Sequence, residues 1–222
     1  MNKKSTPDVA ATADKPYRIV KRLMDLVLSF VSLLILLVPM LIVLIIDAVD
    51  LGGNPIFTQN RIGRGGKPFR IYKIRTMRRD TPRYLATGEI SDPDRYITRV
   101  GRILRKLSID ELPQLLNILI GDMSIVGPRP LIPEEKGIHA MREKAGVYSL
   151  RPGMTGLAQI NGRDTVLADE KVYWDTEYLR HFSFGQDLRI IFHSFIKVLA
   201  ADGVQEGAPA AVKTAGEPPK EQ

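Results

Sequence analysis

The stretch LVLSFVSLLILLVPMLIVLII, residues 26–46, decides the fold. It runs for 21 residues without a charge, and only Ser29, Ser32 and Pro39 interrupt its apolar side chains. At 1.5 Å per residue such a helix reaches roughly 30 Å, about one hydrocarbon core, and its Leu, Ile, Val and Phe residues favour insertion by about 5–10 kcal/mol in sum. A cleaved signal peptide fits badly. The apolar run exceeds the usual length of about 7–15 residues, starts well inside the chain and is followed by no small-x-small cleavage site.

The flanks of this run carry the topology. Lys3, Lys4, Lys15, Arg18, Lys21 and Arg22 precede it; Arg61, Arg64, Lys67, Arg70, Lys73, Arg75, Arg78 and Arg79 follow, with only Asp47 and Asp50 between. Both sides therefore read as cytoplasmic under the positive-inside rule. A segment that dips into one leaflet and returns removes the conflict. Pro39 supplies a break, because it lacks a backbone donor and its ring meets the carbonyl of Ile35, while Ser32 lies close enough to re-satisfy freed backbone groups. A straight or kinked spanning helix is the competing reading, since prolines are tolerated in such helices.

A chain of 222 residues suits one domain, at most two. Its net charge of +7 and pI of about 9.6 imply an anionic partner: nucleic acid, an acidic lipid surface or a phosphorylated substrate. The absence of cysteine excludes disulfides, thiolate metal sites and thiol nucleophiles. His139, His181 and His193 are scattered without metal-site spacing, which leaves carboxylates and hydroxyls as nucleophiles and hard cations such as Mg2+ as the metal class. The boundaries read as a flexible start over 1–16, a membrane-associated region over 17–50, a main domain over 51–201 and a disordered tail over 202–222.

Within the main domain, PIFTQNRIG and KPFRIYKIRTM flank a Gly65–Gly66 turn and predict a small β-hairpin rich in basic residues. Placed just after a membrane segment, that basic surface attracts anionic headgroups or a phosphorylated substrate. DRYITRVGRILRKLS sets Ile97, Val100, Ile103, Leu104 and Leu107 at helical spacing opposite a basic face, a pattern that suits either an interfacial helix or one packed on a soluble core. In DEKVYWDTEYLRHFSFGQDLRIIFHSFIKVLA the aromatic residues recur at helical spacing, which predicts core packing for several of them, while the final amphipathic helix suits either headgroup contact or closure of the domain.

SIDELPQLLN, residues 108–117, places Asp110 and Glu111 directly before a Leu-Pro step. An ordinary helix start explains them: Asp110 caps, Glu111 complements the dipole and Pro113 sits in the first turn, or Ser108 caps with Glu111 closing a capping box. Two nearby loops argue for chemistry as well. GDMSIVGPRP holds Arg129 among glycine and proline, and LRPGMTGLAQINGR carries Arg151 and Arg163 among Gly153, Gly156 and Gly162. Glycines allow close backbone approach and guanidinium groups match phosphate oxygens. Neither loop matches a nucleotide-hydrolase or dinucleotide fingerprint. Adjacent carboxylates point about 100° apart on a helix, so they suit unequal roles at a phosphate: one attacks phosphorus or binds Mg2+, the other assists.

These pieces, in order, resemble the bacterial sugar transferases of the polyprenyl-phosphate phosphoglycosyl transferase superfamily, in its small monotopic class. The resemblance spans about residues 17–201 and rests on KRLMDLVLS entering the proline-interrupted segment, FTQNRIGRGGKPFRIYKIRTM, GRILRKLSIDELPQLLNILIGDMSIVGPRP and LRPGMTGLAQINGR. It implies a mainly α fold with a small β-hairpin, a re-entrant membrane helix broken at Pro39, interfacial helices, and a catalytic domain on the cytoplasmic face of the bacterial inner membrane. The implied reaction moves a sugar 1-phosphate from a UDP-sugar to undecaprenyl phosphate and releases UMP, with Mg2+ required. By resemblance Asp110 is the nucleophile and a metal ligand, Glu111 assists, and Arg75, Arg129, Arg151 and Arg163 bind substrate.

Departures from the family pattern, Ile74, Ile109 and Leu116, are apolar exchanges. The four-helix membrane region of larger relatives has no counterpart, so a free-standing catalytic unit is expected. Expected partners are the donor, the lipid acceptor and anionic membrane lipids, with a homo-oligomer or later glycosyltransferases of the pathway beyond them; nucleic acid is not expected, for want of a reading motif or stacking aromatics. The alternative to an enzyme is a basic membrane-associated scaffold in which the acidic pair is only a cap.

Overall fold

A computed structural model of the chain describes residues 15–81, 93–162 and 167–199. The readings of a flexible start and a disordered tail fall outside the described residues, apart from Lys15 and Pro16. Seven helices lie among the described residues: α1 (Lys15–Leu51), α2 (Arg99–Lys106), α3 (Gln114–Ile120), α4 (Lys136–Lys144), α5 (Leu157–Asn161), α6 (Ala168–Arg180) and α7 (Phe184–Leu199). Four strands form two small sheets. β1 (Ile56–Ile62) pairs antiparallel with β2 (Pro68–Ile74), and β3 (Ser124–Val126) pairs parallel with β4 (Gly153–Thr155).

The apolar run lies inside α1, whose helical assignment continues past Pro39. Only 6 % of its most apolar stretch is buried, so the protein leaves this surface uncovered and the segment is no core helix. Leu34, Ile35, Val38, Ile42 and Ile45 all face outward. The part of α1 before the apolar run is polar and tied to the domain. Tyr17 and Lys21 each reach Asp187 Oδ2 at 2.6 Å, Arg22 donates to the carbonyls of Ile118 and Leu119 at 2.6 and 3.0 Å, and Asp25 accepts from the Ile125 amide at 3.0 Å. Beyond the apolar run, Asp50 Oδ2 accepts from the Val100 amide at 3.2 Å. Both ends of α1 thus contact one folded body.

That body has two apolar clusters. Val126, Leu150, Tyr178, Leu179, Phe182 and Ile190 form one; Ile71, Leu115, Ile118 and Met123 form the other, with Leu33 and Leu36 of α1 packed against it. The expected hairpin is present with Ile56 opposite Ile74 and Ile62 opposite Pro68, turning through Gly65 and Gly66 at φ of +69° and +70°. The helix-like passage near the C-terminus is two helices, α6 and α7, separated at residues 181–183. Tyr178 and Phe182 enter the core, whereas Tyr173, Phe184, Phe192 and Phe195 are exposed.

Candidate active site

The acidic pair sits in a tight connection between α2 and α3. α2 begins at Thr98, whose side chain accepts from the Gly101 amide at 2.9 Å, and a Cβ on Gly101 would lie 2.3 Å from the Thr76 carbonyl oxygen, so this glycine lets α2 rest on the chain leaving β2. After α2, Ser108 adopts a left-handed backbone with φ +56°, and residues 109–111 form one 3-10 turn. Ser108 is the one non-glycine residue with positive φ among the described residues, two positions before Asp110. α3 starts only at Gln114, after Pro113.

This geometry removes the capping account. The capping position of α3 belongs to Pro113 and that of the 3-10 turn to Ser108, and neither makes a side-chain capping bond. Asp110 is 8 % exposed and Glu111 turns toward the hairpin and the following loop. Glu111 Oε1 accepts from Lys73 Nζ at 2.8 Å and from an Arg129 terminal nitrogen at 3.3 Å.

Three elements aim these cations. Lys73 comes from β2, which is registered on α3 by the buried amide of Asn117: its Oδ1 accepts from the Tyr72 amide at 3.0 Å and its Nδ2 donates to the Arg70 carbonyl at 2.7 Å. Arg129 follows β3, and its carbonyl accepts from Arg142 at 2.8 Å. Arg142 in turn makes a buried ion pair with Asp175 of α6 at 2.6 Å. Arg61 of β1 donates to the Pro130 carbonyl at 3.2 Å, completing the loop's fixation. Burial, and then the nearby Arg129 charge, lower the Arg61 guanidinium to about 10.

The two carboxyls are driven apart. Burial opposes charge on both. At Glu111 the Lys73 and Arg129 charges outweigh burial and hold the carboxyl down at about 2. At Asp110 burial, together with the Glu111 charge, outweighs Lys73, Arg105 and Arg129 and raises it above the ordinary value of 3.8. Glu111 is thus a fixed anion and Asp110 the more basic, less solvated neighbour, an inequality that suits a nucleophile beside a positioning group.

Of the residues expected at the site, Asp110, Glu111 and Arg129 come together. Arg75 lies elsewhere, its guanidinium carbon 5.5 Å from the centroid of the Phe57 ring and its nitrogens near the Asn54 and Ile56 carbonyls. Arg151 lies at the far end of α3, donating Nε to the Gly121 carbonyl at 2.9 Å. Arg163 falls outside the described residues. Lys73, Arg105, Asn117 and the Arg142–Asp175 pair were not anticipated. Lys73 belongs to the basic patch expected to attract headgroups or a phosphorylated substrate and Arg105 to the basic face of the following helix, without either being singled out, and no local spacing marks the others.

The glycines of the two loops serve mainly each other. A Cβ on Gly127 would lie 2.4 Å from the Arg151 carbonyl oxygen, one on Gly153 would lie 2.1 Å from the Gly127 nitrogen, and one on Gly156 would lie 2.2 Å from the Gly127 carbonyl oxygen. Close backbone packing of GPRP on RPG demands them, and it sets the loop that carries Arg129.

Among the described residues there is no group of three or more acidic or histidine side chains able to enclose a metal. Mg2+ needs no such cage, because it is held through one or two carboxylates completed by substrate phosphates and water. Asp110 fits that donor role, whereas Glu111 Oε1 is already shared by two cations.

A family model described as bacterial sugar transferase matches residues 16–201. An uncharacterized sugar transferase of Bacillus subtilis is 40 % identical over 190 residues, covering 85 % of this chain and 91 % of that protein. The UDP-glucose:undecaprenyl-phosphate glucose-1-phosphate transferase of Caulobacter vibrioides is 42 % identical, covering 82 % of this chain and 70 % of its own. The undecaprenyl-phosphate galactose phosphotransferase of Salmonella typhimurium is 38 % identical over 206 residues, covering 86 % of this chain and 43 % of that protein.

Proposed function

The chain belongs to the bacterial sugar transferase family, and we propose from that premise that it moves a sugar 1-phosphate from a UDP-sugar to undecaprenyl phosphate, releasing UMP. The observation that carries the residue assignment is the unequal acidic pair: Asp110 raised, outside any helix cap, and Glu111 pinned as an anion by Lys73 and Arg129.

The reaction divides into two displacements. A carboxylate oxygen of Asp110 attacks the sugar-bearing β-phosphorus; the bond from that phosphorus to the bridging oxygen breaks, and UMP leaves with the oxygen. The enzyme then holds an acyl phosphate carrying the sugar. A phosphate oxygen of the polyprenyl acceptor attacks the same phosphorus, the acyl bond breaks, and Asp110 returns as carboxylate with the lipid diphosphosugar as product. Lys73, Arg105 and Arg129 surround the acids with positive charge where phosphate charge develops. Glu111 keeps Lys73 and Arg129 in place. Asp110, with the substrate phosphates, would hold Mg2+, and the charge neutralisation it would supply favours departure of UMP.

The membrane arrangement is part of the same reading: α1 enters one leaflet and returns near Pro39, leaving the catalytic body on the cytoplasmic face. Its support is the pair of anchors. The apolar run alone, at about 30 Å, is as long as one hydrocarbon core is thick. Yet Lys21 and Asp50 both bind that body, on either side of the apolar run. A bilayer-spanning segment would place these anchors on opposite faces.

The test is UMP release from a panel of UDP-sugars with undecaprenyl phosphate and Mg2+, alongside incubation with labelled donor alone. Turnover and acid-stable label lost in Asp110→Asn are expected. Equal labelling of that variant overturns the nucleophile, and no release across the panel overturns the reaction.

A further inference from the structure

A second basic site lies at the opposite end of α3 from the acidic pair. Arg22 and Arg151 donate to the carbonyls of Ile118, Leu119 and Gly121, which is ordinary compensation of a helix C-terminus. That explains these two arginines but leaves a surplus. Arg18 and Arg64 converge on Arg151 closely enough to depress its affinity for a proton, after the larger effect of burial and that of Arg22. The Nε of Arg18 is buried without a hydrogen-bond partner. Ser149 Oγ, buried and likewise unpartnered, lines the same cavity of about 50 Å3.

The one carboxylate lining the cavity, Asp25, offsets part of the Arg151 charge but faces four guanidinium groups, those of Arg18, Arg22, Arg64 and Arg151. Asp187 is occupied by Lys21, Tyr17 and Tyr178, and the single acid lining the cavity, Asp25, accepts from the Ile125 amide. Like charges gathered in excess of their counterion repel, and a bound oxyanion removes that cost through bidentate hydrogen bonds. One water needs about 10–15 Å3, so the cavity has room for a larger group. The turn of α1 that points Arg18 and Arg22 at it presents Ile19, Val20 and Leu23 outward, at 75, 53 and 63 % exposure. The cavity therefore sits where an apolar surface meets a basic one, the level of headgroup phosphates.

We propose that this cavity binds the phosphate of a membrane lipid between the guanidinium groups of Arg18, Arg64 and Arg151. It is distinct from the transfer site, separated from it by α3, whose seven residues rise about 10 Å. The lipid source of the phosphate rests on the membrane reading above; the binding site itself does not depend on the transfer reaction.

The experiment titrates the full chain, purified in a neutral detergent, with phosphatidylglycerol and counts retained lipid by native mass spectrometry. Arg18→Gln/Arg64→Gln should weaken retention about tenfold or more, the scale of one lost charge-assisted hydrogen bond. Arg78→Gln/Arg79→Gln, which removes equal charge elsewhere, should not. Equal loss in both variants, or none in either, overturns the site. Displacement of the lipid by millimolar inorganic phosphate overturns the lipid source while retaining the oxyanion chemistry. Arg64→Gln alone, at an exposed turn position, gives the same reading without testing the fold. Lipid counting proceeds without turnover, so failure of the transfer assay leaves this result separate.

Discussion

Lys73 Nζ lies 2.8 Å from Glu111 Oε1, across 38 residues of sequence. The pair binds β2 to the turn carrying Asp110, and both side chains are mostly shielded, at 16 and 14 % exposure. Lys73→Met leaves Glu111 with Arg129 alone and removes positive charge beside the phosphates. Transfer should fall about 10- to 150-fold, the value of a lost charged hydrogen bond of about 1.5–3 kcal/mol. Lys73→Arg should restore part of it. Steady-state UMP release checks this, and an unchanged rate removes Lys73 from the site.

The unequal acids set the pH dependence. Glu111 falls from its ordinary 4.5 to about 2, so its contribution to stability is complete above pH 4.5 and is lost as pH falls toward 2. Asp110 is shifted the other way, so with Asp110 as the proposed nucleophile the acid limb of enzyme labelling should lie above pH 3.8. Glu111→Gln removes the charge that adds to burial in raising Asp110, and the limb should move to lower pH. Single-turnover labelling against pH measures it; a limb that stays in place shows that the carboxyls do not interact.

How legible this was from sequence depends on the distance over which each feature is decided. The apolar run and the glycine turn of the hairpin are local patterns, and both are present in the fold. The partners of Glu111 are not local: Lys73 sits 38 residues away and read as surface charge, and Asn117 looked like one more residue after a run of leucines. Gly153 was read as leaving room for a ligand, but the occupant of that room is the Gly127 backbone. Such a contact is set by the parallel pairing of two three-residue strands, too short to announce themselves.

Arg142 and Asp175 should act on stability and catalysis in separable ways. Their side chains are 3 and 2 % exposed, so Asp175→Leu leaves a buried guanidinium without its counterion and should cost about 3–5 kcal/mol. Replacing both, as Arg142→Met/Asp175→Leu, should recover much of that stability. It also deletes the 2.8 Å bond to the Arg129 carbonyl, so transfer should remain slow. Urea unfolding and UMP release on the same samples separate the two effects; full activity in the double variant excludes a positioning role.

Gly127→Ala should destabilise by about 1–3 kcal/mol, the usual cost of overpacking, because its new methyl meets the Arg151 carbonyl. Gly137→Ala, with nothing near its Cβ and a helical position in α4, should stabilise by about 0.4–1 kcal/mol instead. Thermal unfolding distinguishes loop packing from a general effect of removing glycine, and equal shifts in both variants would rule out the packing explanation.

The chain has no cysteine, so single introduced thiols report topology without background. If α1 returns to the leaflet it entered, Ala10→Cys and Asn60→Cys lie on one face of the membrane. Both should be protected from a membrane-impermeant maleimide in intact cells and both should react after permeabilisation. The anchors on either side of the apolar run make the same demand, because Lys21 and Asp50 bind one body that a bilayer cannot divide. Protection of one thiol and labelling of the other in intact cells would mean that α1 spans, and those anchors could not then form together in the membrane.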